Sequence, residues 1–596
     1  VGTIGVFGGA TKTRDDMVGM DGKSAPEAAA LEKPWVAHYP PGVAWDAPLG
    51  LSPLPDLLAE SVRRYPDRPA MDFMDRKWSY ADLGDLVERA AEGFQALGVK
   101  PGVHVGLFLP NCPYFVIAYY AILKAGGTVV NFNPLYAERE LKHQVEDSMV
   151  EMMVTLDLKQ LHDKMLAMLE QTKLKKVIVC SMAKSLPMVK GLLFPIARAK
   201  EVADIPKNDL HVRWEDLIDN DGKPKPVAID PVNHVAVLQY TGGTTGVPKG
   251  AMLTHANLVA NVQQAALWFP NAKLGEEKFL GVIPFFHVFA MTGVMNLGLY
   301  FGAELILLPR FEIAALLKAI NDKKPTFFPA VPTIYTAINT HKSRDKYNLH
   351  SIKYCVSGGA ALPVEVKATF ERVTGCKLVE GYGLSETAPV ACVNPPEGIN
   401  KAASIGLPLP QTTIEIVSLD DPTQVLPIGS RGEVVISGPQ VMKGYWNKPE
   451  ETANVLDRQG RFRTGDIGYM DEDGYTFLVD RIKDIIIAGG YKLYPRHIEE
   501  AIYMHPAVEE CVVGGIPDTY RGETVKAWIK LRQGEGTLTE DELRTFLGDK
   551  LSPLEMPKII EFRAEPLPKT LIGKLSRKAL VDAEKAARPQ ATAAPH

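Results

Sequence analysis

Apolar and polar positions follow two rhythms along this chain. Short runs rich in β-branched residues, HVGLFLP, GTVVNFNP, KKVIVC, HVAVLQYT and ELILLP, are interspersed with longer segments of helical spacing such as PYFVIAYYAILKAG. Strands alternating with helices predict parallel sheets covered by helices, an α/β architecture. After about residue 405 the rhythm changes. TTIEIVSLDDPTQVLPIGSRGEVVIS and YMDEDGYTFLVD are short strand patterns broken by turn residues, which predicts a β-rich subdomain. From IEEAIYMHPAVEECVVGGIP through VKAWIKL to the end, mixed patterns predict a small α+β domain. The expected division is therefore a flexible segment over 1–30, a large N-terminal domain of α/β subdomains plus the β-rich subdomain over 31–480, a small α+β C-terminal domain over 481–585, and a disordered Ala/Pro-rich tail over 586–596. The join falls near DRIKD, Asp480–Asp484.

Length and charge narrow the function classes. A chain of 596 residues is too long for one core, which fits several domains. A net charge of -5 argues against a broad nucleic-acid surface, which needs a large basic excess. The six cysteines form no CxxC pair, as expected of reduced thiols in the cytosol rather than a disulfide frame or zinc site. The start, VGTIGVFGGATKTRDD, lacks the basic-then-apolar order of an export signal, and its first residue, Val, suggests a missing or altered initiating segment. Phe279–Ala303 carries no charged side chain and is long enough to cross a bilayer, but Pro284 and four glycines divide it into shorter pieces, so buried core is expected there.

The stretch YTGGTTGVPKGAMLTH, Tyr240–His255, lies between a strand pattern and a helical one. Its glycines let backbone approach an anion, Thr241, Thr244 and Thr245 add hydroxyls, and Lys249 adds a charge. The GxxxxGK-Ser/Thr nucleotide loop does not fit, because Pro248 precedes and Gly250 follows the lysine. By residue chemistry alone it is either another phosphate grip or a polar turn.

TGGTTGVPKG resembles the signature loop of the adenylate-forming enzymes, which include acyl-CoA synthetases, luciferases and peptide-synthetase adenylation domains. GYGLSET (381–387), TGD (464–466), VDRIKDIIIAGGYKLYPRHIEE (479–500) and PKTLIGK (568–574) resemble the remaining core motifs, in order. NFNPLYAERELKHQ and EKPWVAHYPPGV resemble bacterial long-chain fatty acyl-CoA ligases in particular. The resemblance implies ATP, Mg²⁺ and CoA as cofactor and cosubstrates, and a C-terminal domain that rotates about Lys483 between two partial reactions. Thr241, Gly242, Gly243, Thr244, Thr245, Gly246 and Lys249 would hold the β- and γ-phosphates, with Thr244 counted as catalytic. Glu386 would ligate Mg²⁺, a hard cation suited to a carboxylate, although outside its motif it reads as a helix-start glutamate. Tyr382 would lie against adenine, with Gly358 and Gly359 giving backbone contact, and Gly381, Gly383 and Ser385 join the same site through their motif. Asp466 would accept the ribose hydroxyls with Arg481 beside it, and Lys574 would bridge the acyl carboxylate and the α-phosphate. Phe286, His287, Val331 and the AGGY residues Gly489, Gly490 and Tyr491 would border the acyl and CoA channels; for His287 a packed core histidine is the equal alternative.

The apolar runs GVIPFFHVFAMTGVMNLGLY and FFPAVPTIY offer no acidic side chain for a substrate ammonium, which disfavours amino acids and suits a long fatty chain, with an aromatic, coumarate-like acid or a medium-chain acid as the alternatives. Residues 171–200 hold seven basic and no acidic residues among apolar ones, suited to anionic membrane lipid or else a solvated insertion; the expected location is cytoplasmic, with peripheral contact at the inner membrane face. The oligomeric state stays open, a homodimer included. Rival readings are a carrier-linked adenylation module, which would need more than the 22 residues after Lys574, a luciferase-like oxygenase, and a non-catalytic fatty-acid binding or uptake protein, which would not need Glu386, Asp466 and Lys574.

Overall fold

The computed structural model describes residues 33–241, 248–518, 520–532, 538–570 and 574–587. The expectations placed on 1–30, on Gly242, Gly243, Thr244, Thr245 and Gly246, and on most of the tail lie outside these residues. Helix Arg577–Ala587 runs past the boundary expected at 586.

Among the described residues the strands form four sheets. The first runs in the order His211–Arg213, Lys176–Cys180, Met152–Leu156, His104–Leu107, Thr128–Asn131, Val235–Tyr240, Gly250–Thr254, parallel except for its last pair. Helix Pro113–Lys124 belongs to this layer and is buried along almost its whole length, which explains why its sequence is apolar on every face. Helix His255–Leu267 leaves the last strand through a capping box in which Thr254 and Asn257 satisfy each other's backbone N–H groups. The charge-free run Phe279–Ala303 divides into the strand Lys278–Gly281, a loop, and helical turns including the π-helical segment Met291–Asn296. No helix among the described residues is long and apolar enough to cross a membrane.

The β-rich expectation begins too late. The eight-stranded sheet starts at Tyr354–Ser357, which pairs in parallel with Lys377–Gly383 around helix Val364–Thr374. That local strand-helix-strand unit reads as α/β in sequence, although its strands continue into an antiparallel sheet. The order proceeds through Val390–Val393, Ser404–Pro408, Thr476–Arg481, Phe462–Met470, Gly432–Ser437 and Thr413–Val417. This sheet is strongly bent. A residue on Lys377–Gly383 and one on Phe462–Met470 would sit roughly 19 Å apart in a flat sheet, at four strand spacings. Yet the Tyr382 hydroxyl lies 2.5 Å from the Asp466 carboxylate. A register shift between Ser404 and Gly406 contributes to the bend, and Gly406 has φ +91° with no room for a Cβ, which would fall 2.1 Å from the Asn394 nitrogen.

The small C-terminal domain is built on a sheet of Tyr491–Leu493, Ile486–Ala488, Gly522–Leu531 and Val508–Asp518, with Ile559–Arg563 parallel to Gly522–Leu531. Its apolar side chains cluster separately from the core of the large domain. The 3-10 turn Ile482–Asp484 links it to the strand Thr476–Arg481.

Candidate active site

Strand Val235–Tyr240 delivers Thr241 to the mouth of the glycine-rich loop, and the Thr241 N–H donates to the Lys249 carbonyl at 2.9 Å, closing the loop at its base. The Lys249 ammonium pairs with Glu451 and sits 5.0 Å from the centre of the Tyr445 ring. The Tyr445 hydroxyl in turn donates to Glu386 Oε1 at 2.7 Å. Lys249 and Glu386 are thus joined through one tyrosine that sequence reasoning missed; its only signal was the string GYW at 444–446. Glu386 sits in the 3-10 turn Ser385–Thr387 and is buried. Burial raises its carboxyl pKa, opposed by the Tyr445 hydrogen bond and by the charges of Arg481 and Lys249.

Opposite this group, the bent sheet assembles Tyr382, Asp466 and Arg481. Tyr382 donates to Asp466 Oδ2, and Arg481 Nε lies 2.9 Å from Asp466 Oδ1. Asp466 and Arg481 are also directly cross-strand, so the pairing register itself brings them together. The Asp466 charge raises the Arg481 pKa, while burial, then Asp466, pushes the Tyr382 phenol well up. A carboxylate has about four acceptor positions, so Asp466 can still accept further hydroxyl donors.

Lys574 reaches this cluster from the C-terminal domain. Its hairpin is fixed by the Lys574 N–H donating to Thr570 Oγ1 at 3.1 Å and by an ion pair of Lys569 with Glu510 at 2.5 Å. The residue as a whole is partly exposed, but its ammonium end is enclosed. A Cβ placed on Gly359 would come within 3.1 Å of Lys574 Cε and 3.7 Å of Val331 Cγ1, so the lysine end lies close over this backbone, and the φ of +84° is what requires glycine here. Gly358 lies similarly against the Phe289 ring. Burial lowers the Lys574 ammonium to about 8, Arg481 adds repulsion, and Asp466 opposes both. Burial and the nearby Lys574 charge also push His287 down to about 3, so it is neutral, and its Nδ1 accepts the Phe289 N–H at 3.3 Å. The Phe286 carbonyl accepts from Gln239 at 3.0 Å.

The AGGY residues stand elsewhere. Gly489, Gly490 and Tyr491 are exposed, and the Gly489 N–H donates to the Arg521 carbonyl inside the small domain. In this arrangement Lys574 is inside the cleft and the AGGY loop is outside it. Lys483 lies exposed in the linking turn, close enough for its charge to help lower the Glu451 pKa.

Two further residues escaped sequence reasoning. Arg577 donates to Asp484 at 2.6 Å, to Glu499 at 2.8 Å and to the Val513 carbonyl at 2.6 Å, tying the linking turn to the body of the small domain. Glu380 lies on the Tyr382 strand, where burial pushes its carboxyl up to about 7 against the pull of Arg496, the Leu362 N–H and Lys367, with Glu500 adding to the rise. Both look like ordinary surface charges in the sequence.

Among the described residues no group of three or more His, Cys, Asp or Glu could cage a metal. Glu386 offers one buried carboxylate on the side of the glycine-rich loop, and one is enough for Mg²⁺, which takes one or two protein carboxylates and completes its shell with water and substrate phosphates.

Residues 58–446 match the family model described as AMP-binding enzyme, and residues 497–574 match the AMP-binding enzyme C-terminal domain. The chain is 47% identical over 556 residues to a long-chain-fatty-acid–CoA ligase of Bacillus subtilis (strain 168), covering 93% of this chain and 98% of that one. It is 35% identical over 567 residues to a long-chain-fatty-acid–CoA ligase of Escherichia coli O6:H1, with the same coverage of 93% and 98%. Among solved structures, ATP-bound MatB from Rhodopseudomonas palustris superposes with a TM-score of 0.77 at 26% identity, over 89% of this chain and 99% of that one.

Proposed function

The chain belongs to the AMP-binding enzyme family, and from that premise we propose that it is a long-chain-fatty-acid–CoA ligase, an acid-thiol ligase that works through an acyl-adenylate. In the first step a fatty carboxylate oxygen attacks the α-phosphorus of ATP, the bond to the β-phosphate oxygen breaks, and pyrophosphate leaves. In the second, the CoA sulfur attacks the acyl carbon, the carboxyl–phosphate bond breaks, AMP leaves, and the thiol proton passes to solvent.

Tyr382 and the backbone at Gly358 and Gly359 would receive adenine. Asp466, held by Tyr382 and Arg481, faces the ribose hydroxyls with acceptor capacity to spare. The loop from Thr241 to Lys249 receives the phosphates. Mg²⁺ held by Glu386 would shield phosphate charge as two anions approach. Tyr445 keeps that carboxylate oriented, and burial keeps water from competing for it.

The observation that best supports this reading is the Lys574 ammonium lying across Gly359 beside the Asp466–Arg481 pair. Among the described residues the enclosed Lys574 ammonium has no anionic partner at bonding distance, which suits it to meet negative charge brought by substrates. The charge that develops between carboxylate and α-phosphate falls within its reach. For thiol attack the small domain must turn so that Lys574 withdraws and the exposed AGGY loop enters, with the turn Ile482–Asp484 as the pivot. Phe286, neutral His287 and Val331 line the acyl side. The fatty substrate would be collected at a membrane surface through residues 171–200.

A substrate panel tests the reading. Purified protein with ATP, Mg²⁺ and CoA should release AMP with palmitate and oleate, more weakly with octanoate and coumarate, and not with amino acids. Absence of acid-dependent AMP release across the panel would refute it.

A further inference from the structure

The sequence pointed to positive charge as the membrane-seeking feature of 171–200, but the folded chain pairs most of that charge with its own acids and carbonyls at the surface. Lys175 pairs with Glu151 at 2.6 Å, Lys184 with Glu215 at 3.2 Å, Lys190 with Asp75 at 2.9 Å and Arg198 with Glu201 at 2.6 Å, while Lys176 donates to the Asp209 carbonyl at 2.9 Å. Five of the seven basic side chains are engaged. Beyond the two others, Lys173 and Lys200, what the segment presents to solvent is mainly apolar.

Helix Met188–Ala197 has no buried residue. It is held on one stripe only: Gly191 packs so close to the preceding turn that a Cβ would fall 2.5 Å from the Ala183 carbonyl oxygen, and Phe194, one turn on, rests partly on the core. Lys190 clamps the helix to the turn at Met74 and Asp75. The rest of the helix presents Met188, Val189, Leu192, Leu193 and Ile196 to solvent, from 56% exposed for Leu193 to 81% for Met188. Met74, beside the clamp, is 41% exposed and extends the patch.

We propose that this helix is the membrane-docking element, and that it works by inserting its apolar face into the lipid interface rather than by charge attraction. The proposal rests on the ligase reading for its logic, since a long-chain fatty acid resides in bilayers. Ten residues make a helix of about 15 Å, half the thickness of a hydrocarbon core, so it lies in the plane of the interface. These five residues expose roughly 600 Å², and roughly 700 Å² with Met74, somewhat below the roughly 800 Å² per partner of a standard protein interface, so a second copy of this chain is the less favoured occupant. The acids nearest the helix, Asp75 and Glu201, are each paired with a base, Lys190 and Arg198, which offsets their repulsion from lipid phosphates. The helix is also linked to the acyl side of the cleft. The Tyr114 hydroxyl donates to the carbonyl of Ser181, the N-cap of the short helix Met182–Ser185 that precedes it, and Phe115 packs edge-on against Phe285, next to Phe286 and His287.

The test is flotation of the full-length protein with vesicles of neutral phosphatidylcholine, and of phosphatidylcholine with phosphatidylglycerol, at low and high salt. The wild type should float with neutral vesicles and remain bound in high salt. Leu192→Glu/Ile196→Glu should lower the bound fraction about tenfold, because two charges would have to enter the interface. Its octanoate-dependent AMP release should stay within about twofold of wild type, as for a surface change away from the cleft. A Leu192→Trp protein should be quenched by brominated phosphatidylcholine. Binding only to anionic vesicles and lost in salt, unchanged flotation of the double variant, or no quenching of the tryptophan would each overturn the proposal. Failure of the ligase reading would instead appear as no AMP release from any protein, whatever the flotation result.

Discussion

At the scale of single residues, the site works by placing charges where they are costly until substrate arrives. Lys574 is the clearest case: enclosed beside Arg481, its ammonium falls from the ordinary 10.5 to about 8. Lys574→Ala should slow acyl-adenylate formation by a hundredfold to a thousandfold, about 3–4 kcal/mol of lost charge stabilisation, while sparing most of the thioester step when acyl-adenylate is supplied. Separate assays of the two half-reactions read this, and equal loss in both would defeat the two-arrangement mechanism. Glu380 carries the opposite shift, from 4.5 to about 7, caused first by burial. A carboxyl raised in the folded state binds more protons there than in the unfolded chain between those values. Stability is therefore lost as pH rises from about 4.5 to 7, by up to about 3 kcal/mol. Glu380→Gln should raise the melting temperature at pH 8 and leave it nearly unchanged at pH 5. An equal shift at both pH values would mean that the charge is not the cause.

At the scale of elements, two joints matter. The first is the bend of the eight-stranded sheet, which brings Tyr382 to Asp466 across three intervening strands and turns a distance of four strand spacings into a hydrogen bond. The second is the clasp made by Arg577. Its guanidinium satisfies Asp484 in the linking turn, Glu499 on helix Pro495–Tyr503 and the Val513 carbonyl on strand Val508–Asp518 at once. Removing it would leave two carboxylates without their cation in a mostly enclosed setting. Arg577→Ala is therefore expected to cost about 2–4 kcal/mol, and Arg577→Lys to rescue little, because an ammonium cannot span a forked geometry. Chemical denaturation followed by small-domain fluorescence at Trp528 gives the measurement, and full rescue by lysine would show that only charge matters.

At the scale of the whole molecule, Lys574 couples protonation to domain arrangement. With the lysine docked and no nucleotide bound, the protein holds fewer protons than the undocked form between about pH 8 and 10.5. Docking is therefore penalised below pH 8, by on the order of 3 kcal/mol, and becomes easier as pH rises through that window. Fluorescence transfer between labels on the two domains should show more of the docked form at pH 10 than at pH 7 without ATP. ATP should remove the pH dependence by supplying the anions that the ammonium lacks, and Lys574→Met should remove it in ATP's absence. A pH-independent distance in the wild type would exclude this coupling.

How much of this was legible in the chain depends on how local the determining physics is. Strand and helix patterns such as KKVIVC and THANLVANVQQAALW report short-range periodicity and capping, and the folded elements Lys176–Cys180 and His255–Leu267 follow them. The motif strings carried family membership and the candidate nucleotide residues, because their glycines and charged groups are contiguous in sequence. Three features depend on partners far away along the chain. Tyr445 meets Glu386 across 59 residues, Arg577 meets Asp484 across 93, and the basic residues of 171–200 find acids on other elements. Which charges remain for a ligand, and which apolar faces remain for a membrane, is settled only when such distant groups have paired. Local pattern therefore determined the elements and the kind of chemistry, whereas tertiary packing decided which residues stayed available to carry it out.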